Sequence, residues 1–418
     1  MTSIVQTVSC LDGYDPDALR VDKAIEAIRA CLTPVSEKET VPVRQALGRV
    51  LAQDIVPDID VPAHDNSAMD GYAVRFSDLS GKETILEEIG TALAGKPLRA
   101  KVGAGQCARV MTGAVMPRGT DTVVIQEVVK REGKRVLVPP GQKKGQNVRY
   151  AGEDLKIGVP VLQPGRLLRP AEIGLIASLG IGEVAVKRRL RVAFFATGDE
   201  LASIGSKLKE GEIYDSNRYT LHGMLERLGV EMVDLGVVRD DPGALEAALQ
   251  KASRCDAIIT TGGVSVGEAD FIKQLMAKLG EVLFWKIAMR PGRPMAFGRI
   301  GAAYLFGLPG NPVAVMVTFY QFVRDALLHL SGRTDDYEIP LLKAISSQPL
   351  RKVPGRTEYQ RGILYREGGE WKVRATGQQG SGVLRSMSEA NCFIVLEHAR
   401  GGVAAGEPVA VQLMEGLA

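Results

Sequence analysis

The second half of the chain alternates between short apolar runs and segments with helical periodicity. From Leu190 onward this alternation predicts an α/β domain with a largely parallel sheet. The predicted strands are 191–196, 231–238, 256–261, 282–287 and 304–308, and the predicted helices are 218–228, 243–252, 269–279 and 312–330. In a doubly wound sandwich of this kind, the ligand crevice lies beyond the carboxyl ends of the strands.

The first half of the chain shows two other patterns. Apolar residues at helical spacing predict helices over 21–32 and 167–180, and we expect these two helices to lie in the same lobe. Between about Pro62 and Arg149 the chain becomes a series of short apolar strands broken by glycine and proline. This region is predicted to be an inserted β-rich lobe, with strands that include 109–111, 122–125 and 135–138.

Composition narrows the class of protein. The 418 residues exceed one ordinary core, so we expect two to four domains, and 45% apolar content with 24% charge is a normal globular balance. A net charge of +3 gives no general argument for nucleic-acid or membrane binding. The N-terminus lacks the features of a signal peptide, and five scattered cysteines without a C-x-x-C pair indicate reduced thiols in a cytosolic protein.

The loop T-T-G-G-V-S-V-G-E-A-D-F, which starts at Thr260, follows a predicted buried strand and contains three glycines. Gly262, Gly263 and Gly267 can take positive φ and bring backbone N–H groups close to a phosphate, and Ser265 lies among them. The spacing fits neither common nucleotide-binding fingerprint, so it points to a phosphate or pterin-like ligand without naming one. An ordinary glycine-rich turn between strand and helix is the alternative.

Carboxylates follow several of the predicted strands and are expected at the same sheet edge. Glu200, Asp240 and Asp270 beside an anion site would repel one another unless a divalent cation bridged them, and Mg²⁺ suits such an oxygen-only set. Asp240 lies just before a possible helix start, so it has a purely structural alternative. Gly310 and Asn311 follow the last strand, and Asn311 is equally well explained as a helix N-cap.

Two further segments carry candidate ligands. Lys286, Arg290 and Arg293 lie within eight residues at a strand end, where they are expected to bind phosphate or an oxyanion; a solvated basic turn is the alternative. The β-rich lobe opens with a dense polar stretch, 62–74, and adds hydroxyl and carboxylate groups beside glycine at 111–114 and 149–154.

Seven motifs in series give a more specific indication. They begin at Asp65 (D-N-S-A-M-D-G-Y-A), Arg109 (R-V-M-T-G-A), Gly152 (G-E-D), Thr197 (T-G-D-E-L), Tyr214 (Y-D-S-N-R), Gly262 (G-G-V-S-V-G-E-A-D) and Gly307 (G-L-P-G-N-P). Because these motifs occur in this order, the chain resembles the molybdopterin molybdenumtransferase (MoeA) family, which includes the gephyrin E domain. The resemblance covers nearly the whole chain.

The resemblance implies a multidomain α/β plus β homodimer. Its parts would be a discontinuous dimerisation and linker domain (18–63 and 152–189), an inserted β-rich domain (64–151), a central doubly wound α/β molybdopterin-binding-like domain (190–336) and a C-terminal β-barrel-like domain (337–418). The implied reaction inserts molybdate into adenylated molybdopterin with Mg²⁺-dependent release of AMP, in the cytoplasm. Transient contacts with a molybdopterin adenylyltransferase and with cofactor acceptor enzymes are expected, and no nucleic acid or membrane partner.

Carried over by motif, the resemblance also implies site residues in both halves of the chain. The implied catalytic residues are Asp70, Thr112, Asp154, Glu200, Asp240 and Asp270, of which the last three would bind Mg²⁺. The resemblance adds Arg361 and Ser381 as substrate-binding residues, and ordinary roles within the β-domain are the alternative for both. Together with the residues derived above, the predicted substrate-binding set is Gly262, Gly263, Ser265, Gly267, Lys286, Arg290, Arg293, Gly310, Asn311, Arg361 and Ser381. Asp70, Thr112 and Asp154 would face the α/β domain of the partner chain, across an intersubunit cleft.

One departure and two alternative functions remain open at this point. Many family members carry lysines where this chain has Arg290 and Arg293, which leaves the preference between molybdate and tungstate undecided. An adenylyltransferase of the same α/β fold would not need the β-rich and C-terminal lobes. A gephyrin-like scaffold would use added surfaces, and the chain has no long linker or fused domain that suggests one.

Overall fold

The computed structural model describes residues 3–9, 15–262, 275 and 278–414. Its first half is built from short strands and three helices. These elements are α1 (Ile4–Ser9), α2 (Val21–Cys31), β1 (Lys38–Pro42), β2 (Asn66–Ser67), β3 (Gly71–Val74), β4 (Thr84–Ala92), β5 (Gln106–Val110), β6 (Thr122–Ile125), β7 (Lys130–Glu132), β8 (Arg135–Val138), β9 (Val148–Arg149), α3 (Pro170–Ser178) and β10 (Glu183–Lys187).

The β-rich lobe is a six-stranded sheet in the order β6-β3-β5-β4-β8-β7, with the short pair β2–β9 beside it. Its strands alternate between two apolar clusters because successive side chains point to opposite faces. In β3, Tyr72 and Val74 join one cluster while Ala73 joins the other. The prediction of a β-rich lobe is confirmed, and the three predicted strands correspond to β5, β6 and β8.

The two helices predicted for the first half, which correspond to α2 and α3, pack in different places. α3 closes a small core with the β1–β10 pair, in which Leu51, Leu168 and Ile176 are buried. α2 instead places Ala24 and Ile28 in the large core of the α/β domain. The expectation that these helices share a lobe is wrong, because amphipathic periodicity shows which face is buried but not the partner that covers it. The domain boundaries themselves stay predictions.

The second half begins with the α/β elements. They are β11 (Arg191–Thr197), β12 (Leu201–Ala202), β13 (Ile213–Tyr214), α4 (Asn217–Arg227), β14 (Glu231–Val238), α5 (Pro242–Ala252), β15 (Ala257–Thr261), β16 (Gly280–Lys286), β17 (Met289–Arg290), β18 (Pro294–Ile300), β19 (Ala303–Leu308), α6 (Pro312–Thr318) and α7 (Arg324–Leu330). A π-helical segment, Phe319–Val323, joins α6 to α7.

The central sheet has the strand order β14-β11-β15-β19-β18-β16. β14, β11, β15 and β19 are parallel, whereas β18 runs antiparallel to both of its neighbours. Residues of α4, α6 and α7 share one apolar cluster and residues of α5 belong to the other, so helices cover both faces. The prediction of a doubly wound α/β domain is confirmed. Strand β18 was missed, and the predicted helix 269–279 lies mostly outside the described residues.

The run Pro312–Leu330 is apolar and long enough to cross a membrane by length and composition. Within the protein, 78% of its most apolar window is buried, and the core helices of soluble proteins pass the same test. Val313, Val317 and Leu327 lie in the large core. The segment therefore serves as the central helix of the α/β domain.

A closed barrel completes the chain. Its elements are β20 (Leu341–Ser346), β21 (Thr357–Glu367), β22 (Glu370–Ala375), α8 (Arg385–Glu389), β23 (Cys392–Leu396) and β24 (Pro408–Leu413). Pairing of β21 with both β22 and β23 closes five strands into a ring, which confirms the prediction of a C-terminal β-barrel-like domain. β17 pairs with β21 and so joins the barrel to the α/β domain.

Candidate functional site

The centre of the candidate site is the edge where β11, β15 and β19 end. The chain leaves β11 toward β14 on one side and later returns to β15 on the other, so the topological switch point lies between Thr197 and Gly262. Gly262 has φ 88°, and a Cβ there would lie 2.5 Å from the carbonyl oxygen of Thr197. Gly310, after β19, lies beside Gly262. Glycine at 262 therefore lets two loops close on each other.

Glu200 and Asp240 lie at this edge, both exposed. The Glu200 carboxylate folds back over Gly198, where a Cβ would meet its oxygens at 2.5–2.8 Å. The backbone N–H of Asp240 donates to Asp199 Oδ1 at 3.4 Å, which brings the loops after β11 and β14 together. Asp241, not Asp240, caps α5, because its Oδ1 accepts from the Ala244 N–H at 2.8 Å.

The turn after β19 connects the sheet to the barrel. Asn311 occupies the N-cap position of α6, but its side chain makes no capping bond with that helix. Instead its oxygen faces the barrel loop near Gly382. The backbone N–H of Val313 donates to the carbonyl of Ser381 at 3.0 Å. The predicted ligands Gly310, Asn311 and Ser381 are thus neighbours. Helix capping, the structural alternative, does not explain the orientation of the Asn311 side chain.

Arg361 on β21 is 1% exposed and faces carbonyl and hydroxyl groups. It donates to the Gly380 carbonyl at 3.0 Å and to Ser386 Oγ at 3.1 Å. No carboxylate lies within 4 Å of it in the described part of the chain. Burial, together with the charge of Arg290, lowers the pKa of Arg361 to about 10, so it remains a cation at neutral pH. A buried cation without a counter-charge is costly, and an anion would stabilise it.

The basic segment reaches the same edge but is partly engaged elsewhere. Lys286 forms an ion pair of 2.6 Å with Asp17, and that contact lowers the pKa of Asp17. Arg290 lies on the rim of a cavity of about 340 Å³ that Arg361 also lines. It is 4.0 Å from Glu358, a weak pairing that leaves its charge free for another anion. Arg293 is exposed at the start of β18.

The β-rich lobe holds the second group of predicted residues. Asp70 Oδ1 accepts from the Thr112 N–H at 2.7 Å and from Thr112 Oγ1 at 2.8 Å, and these bonds lower the pKa of Asp70. Asp65 Oδ1 accepts from the Ala151 N–H at 2.8 Å and so holds the loop that leads to Asp154. Asp154 itself is exposed. Hydrogen bonds therefore organise this group within its own lobe, separate from the sheet edge.

Four predicted site residues lie outside the described part of the chain. They are Gly263, Ser265, Gly267 and Asp270.

The chemistry of the remaining donors fits a hard divalent cation. Glu200 and Asp240 offer exposed carboxylate oxygens at one sheet edge, which are the ligands that Mg²⁺ takes, together with water and phosphate oxygens. No group of three or more His, Cys, Asp and Glu side chains arranged to hold a metal occurs among the described residues. An Mg²⁺ held here would accordingly depend on the substrate for several of its ligands.

Some residues that build the site carry no role in the sequence argument. Asn217 is 9% exposed, and its Nδ2 donates to the Gly310 carbonyl at 2.7 Å. Ser386 holds the Arg361 guanidinium. The Y-D-S-N-R motif could have indicated Asn217, because it places a polar cluster at a helix start on this sheet edge. Nothing in the sequence indicates a role for Ser386.

Three family models match successive parts of the chain. Residues 193–329 match a probable molybdopterin binding domain. Residues 19–180 match the MoeA N-terminal region (domain I and II), and residues 343–414 match the MoeA C-terminal region (domain IV). The fold and the site therefore define a multidomain protein of the molybdopterin-binding class.

Comparisons over nearly the whole chain assign the protein to one family within this class. The chain is 44% identical to the molybdopterin molybdenumtransferase of Haemophilus influenzae, over 94% of this chain and 98% of that one. It is 37% identical to the protein of that name from Nostoc sp., over 90% and 88%. The crystal structure of a molybdopterin biosynthesis moeA protein from Pyrococcus horikoshii OT3 superposes with a TM-score of 0.82 at 32% identity, over 95% and 100%. The chain belongs to the molybdopterin molybdenumtransferase family, and its predicted assignment as a transferase is confirmed.

Proposed function

We propose that this protein acts in molybdenum cofactor biosynthesis by inserting molybdate into adenylated molybdopterin, with release of AMP. Family membership supports the reaction class. Hydrolysis adds water across the phosphoanhydride of the adenylate, so that one P–O bond breaks and AMP leaves. Two thiol sulfurs of molybdopterin bond to the molybdenum of molybdate while one Mo–O bond breaks, and that oxygen leaves as water with the two thiol protons.

The buried charge of Arg361 is the observation that carries this proposal. Its guanidinium is surrounded by carbonyl and hydroxyl oxygens rather than by a carboxylate, at the junction of the barrel with the α/β domain. Arginine binds tetrahedral oxyanions well because its donors form a rigid planar fork. Molybdate is a tetrahedral dianion. Arg290 lines the same cavity as Arg361, and Ser381 follows Gly380, whose carbonyl accepts from Arg361.

The sheet edge suits the phosphates of the substrate. Gly262 and Gly310 lie side by side where α6 begins, and a helix start favours negative charge. Glu200 and Asp240 would hold Mg²⁺ here, with Asp270 as the further ligand implied by the resemblance. When bound, Mg²⁺ would neutralise phosphate charge while the anhydride breaks. Lys286 and Arg293 are expected to bind the phosphate chain or the pterin.

We further propose that the active unit is a homodimer in the cytoplasm. The organised group of Asp70 and Thr112 lies in the β-rich lobe, apart from the sheet edge of its own chain. In a dimer this lobe, with Asp154, would face the α/β domain of the second copy. Transient contacts with a molybdopterin adenylyltransferase and with cofactor acceptor enzymes would then supply the substrate and remove the product.

The test is to incubate the purified protein with adenylated molybdopterin, Mg²⁺ and either molybdate or tungstate. AMP release is measured together with reconstitution of an apo-molybdoenzyme. We expect AMP release that depends on the oxyanion, active reconstituted enzyme, and loss of both in Asp240→Ala. Comparison of the two oxyanions gives the metal preference that Arg290 and Arg293 leave undecided.

Two outcomes would refute the proposal. If the protein forms adenylated molybdopterin from molybdopterin and ATP but does not consume it, the adenylyltransferase alternative holds. If it neither forms nor consumes the adenylate, a binding or scaffold role replaces the enzymatic one.

A further inference from the structure

Asn217 connects two parts of the candidate site that are distant in sequence. It is the first residue of α4, which follows the loop after β11. Its Nδ2 donates to the Gly310 carbonyl at 2.7 Å, across 93 positions of the chain. Gly310 in turn lies against Gly262 and immediately precedes Asn311. One side chain therefore ties the start of α4 to the turn that begins α6.

That turn leads directly to the oxyanion pocket. Two residues beyond Asn311, the Val313 N–H donates to the Ser381 carbonyl at 3.0 Å. The neighbouring Gly380 carbonyl accepts from Arg361 at 3.0 Å. A continuous series of contacts thus runs from Asn217 through the Gly310–Asn311 turn to the buried guanidinium. A shift of the turn would move the phosphate edge relative to Arg361.

The oxygen of the Asn217 side-chain amide lies in an unusual environment for a buried polar atom. Its Oδ1 is buried and has no hydrogen-bond donor in the described part of the chain. Such an acceptor costs about 1–3 kcal/mol, and buried polar groups in native proteins are nearly always paired. A side chain kept for packing alone would avoid that cost. Among the described residues, the amide therefore acts through the bond from its Nδ2 to the Gly310 carbonyl.

The charges around Asn217 are already balanced by other residues. Asp215, which is buried, accepts from both the backbone N–H and Nε of Arg218, and Arg218 also pairs with Asp234. The neutral amide consequently adds a donor without adding charge beside the phosphate edge. An aspartate at position 217 would place a carboxylate against the Gly310 carbonyl instead.

We propose that Asn217 is a positioning residue for the molybdate insertion reaction: it fixes the Gly310–Asn311 turn and thereby the distance between the phosphate edge and the Arg361 oxyanion pocket. This inference rests on the proposed function. Asn217 acts through the turn rather than by contact with the reacting atoms. Its loss should reduce the rate of oxyanion-dependent AMP release more than the affinity for the adenylate.

Two substitutions and one matched control test this role. Asn217→Ala removes the donor, and Asn217→Asp replaces it with an acceptor of the same shape. Thr220→Ala is the control, because Thr220 Oγ1 donates to the carbonyl of Ser216, the N-cap residue of α4, rather than to Gly310. All three are compared with the wild type for kcat and KM in the AMP-release assay with molybdate.

We expect kcat to fall on the order of ten- to a hundredfold in Asn217→Ala, as for a misplaced reacting group, with KM changed less than about threefold. Asn217→Asp should regain activity relative to wild type as the pH is lowered from about 8 to about 6. Burial raises the pKa of an introduced carboxyl, and only its protonated form can donate to Gly310. Thr220→Ala should stay within about twofold of wild type.

A second readout does not depend on activity. Amide hydrogen exchange over residues 310–318, followed by mass spectrometry, should be faster in Asn217→Ala than in wild type or Thr220→Ala. Equal kcat in Asn217→Ala and Thr220→Ala, or unchanged exchange at the turn, would overturn the inference. Absence of AMP release in the wild type would count against the proposed function instead, and the exchange result would still decide whether Asn217 fixes the turn.

Discussion

Replacing Arg361 with glutamine should remove most of the affinity for molybdate. Burial lowers the pKa of Arg361 to about 10 from the ordinary value of a guanidinium. At about 1.4 kcal/mol per pKa unit, the charged form is disfavoured by about 3 kcal/mol in the protein without oxyanion. A dianion beside the guanidinium restores that energy. The corresponding loss in Arg361→Gln is on the order of a hundredfold in Kd.

The measurement is isothermal titration calorimetry of molybdate into wild type, Arg361→Gln and Arg385→Gln. Arg385 is a suitable control because it lies on α8 near the same loop, is 86% exposed and is paired with Glu389. We expect less than about a twofold change for the control, since exposed ion pairs contribute little. Near-ultraviolet circular dichroism checks that each variant is folded. Binding by Arg361→Gln within about threefold of wild type would refute the electrostatic reasoning.

Two more predictions concern local geometry. Gly262→Ala should lower the free energy of unfolding in urea more than Gly205→Ala. Both positions have positive φ, 88° and 83°, which costs an alanine about 1–2 kcal/mol. Of these two positions, only 262 would bring the new Cβ within 4 Å of another residue, Thr197. Equal losses would contradict the clash. Thr112→Val should raise the pKa of Asp70 toward its ordinary value, measured by NMR titration, because one of its two bonds from Thr112 is lost. In wild type the ionised Asp70 carboxylate stabilises the turn above about pH 4, and this contribution is lost as the pH falls through the pKa of the folded state. An unchanged Asp70 titration in Thr112→Val would argue against the bond from the Thr112 hydroxyl.

The α/β elements were predictable because their local signals agree with the fold. β14 spans the same residues as its prediction, 231–238, and α4 begins one residue before its predicted start. β18 escaped prediction because it begins with Pro294 directly after a proline- and glycine-rich turn, which reads as a continuation of the loop. The packing of α2 depends on tertiary contacts, such as the Tyr304 hydroxyl that accepts from the Thr33 N–H and donates to the Cys31 carbonyl.

The site was predictable as a set of loops but not as a geometry. Gly262 and the polar and glycine-rich segments after β11 and β19 meet at one edge because parallel strands end together. Whether Arg361 has a counter-charge, or where the Asn217 amide points, depends on residues far away in the chain. Spacing in the sequence carries no information on such contacts. The resemblance supplied roles for Arg361 and Ser381, and the structure adds Asn217 and Ser386.

The bond from the Val313 N–H to the Ser381 carbonyl has a consequence for synthesis of the protein. A ribosome makes Ser381 roughly 70 residues after Val313, which at about 5–20 residues per second is a delay of roughly 3–14 seconds. For most of that interval the apolar run Pro312–Leu330 has been made, but α6 lacks this acceptor. We therefore expect the start of α6 to reach its native contacts only after the barrel loop has been translated.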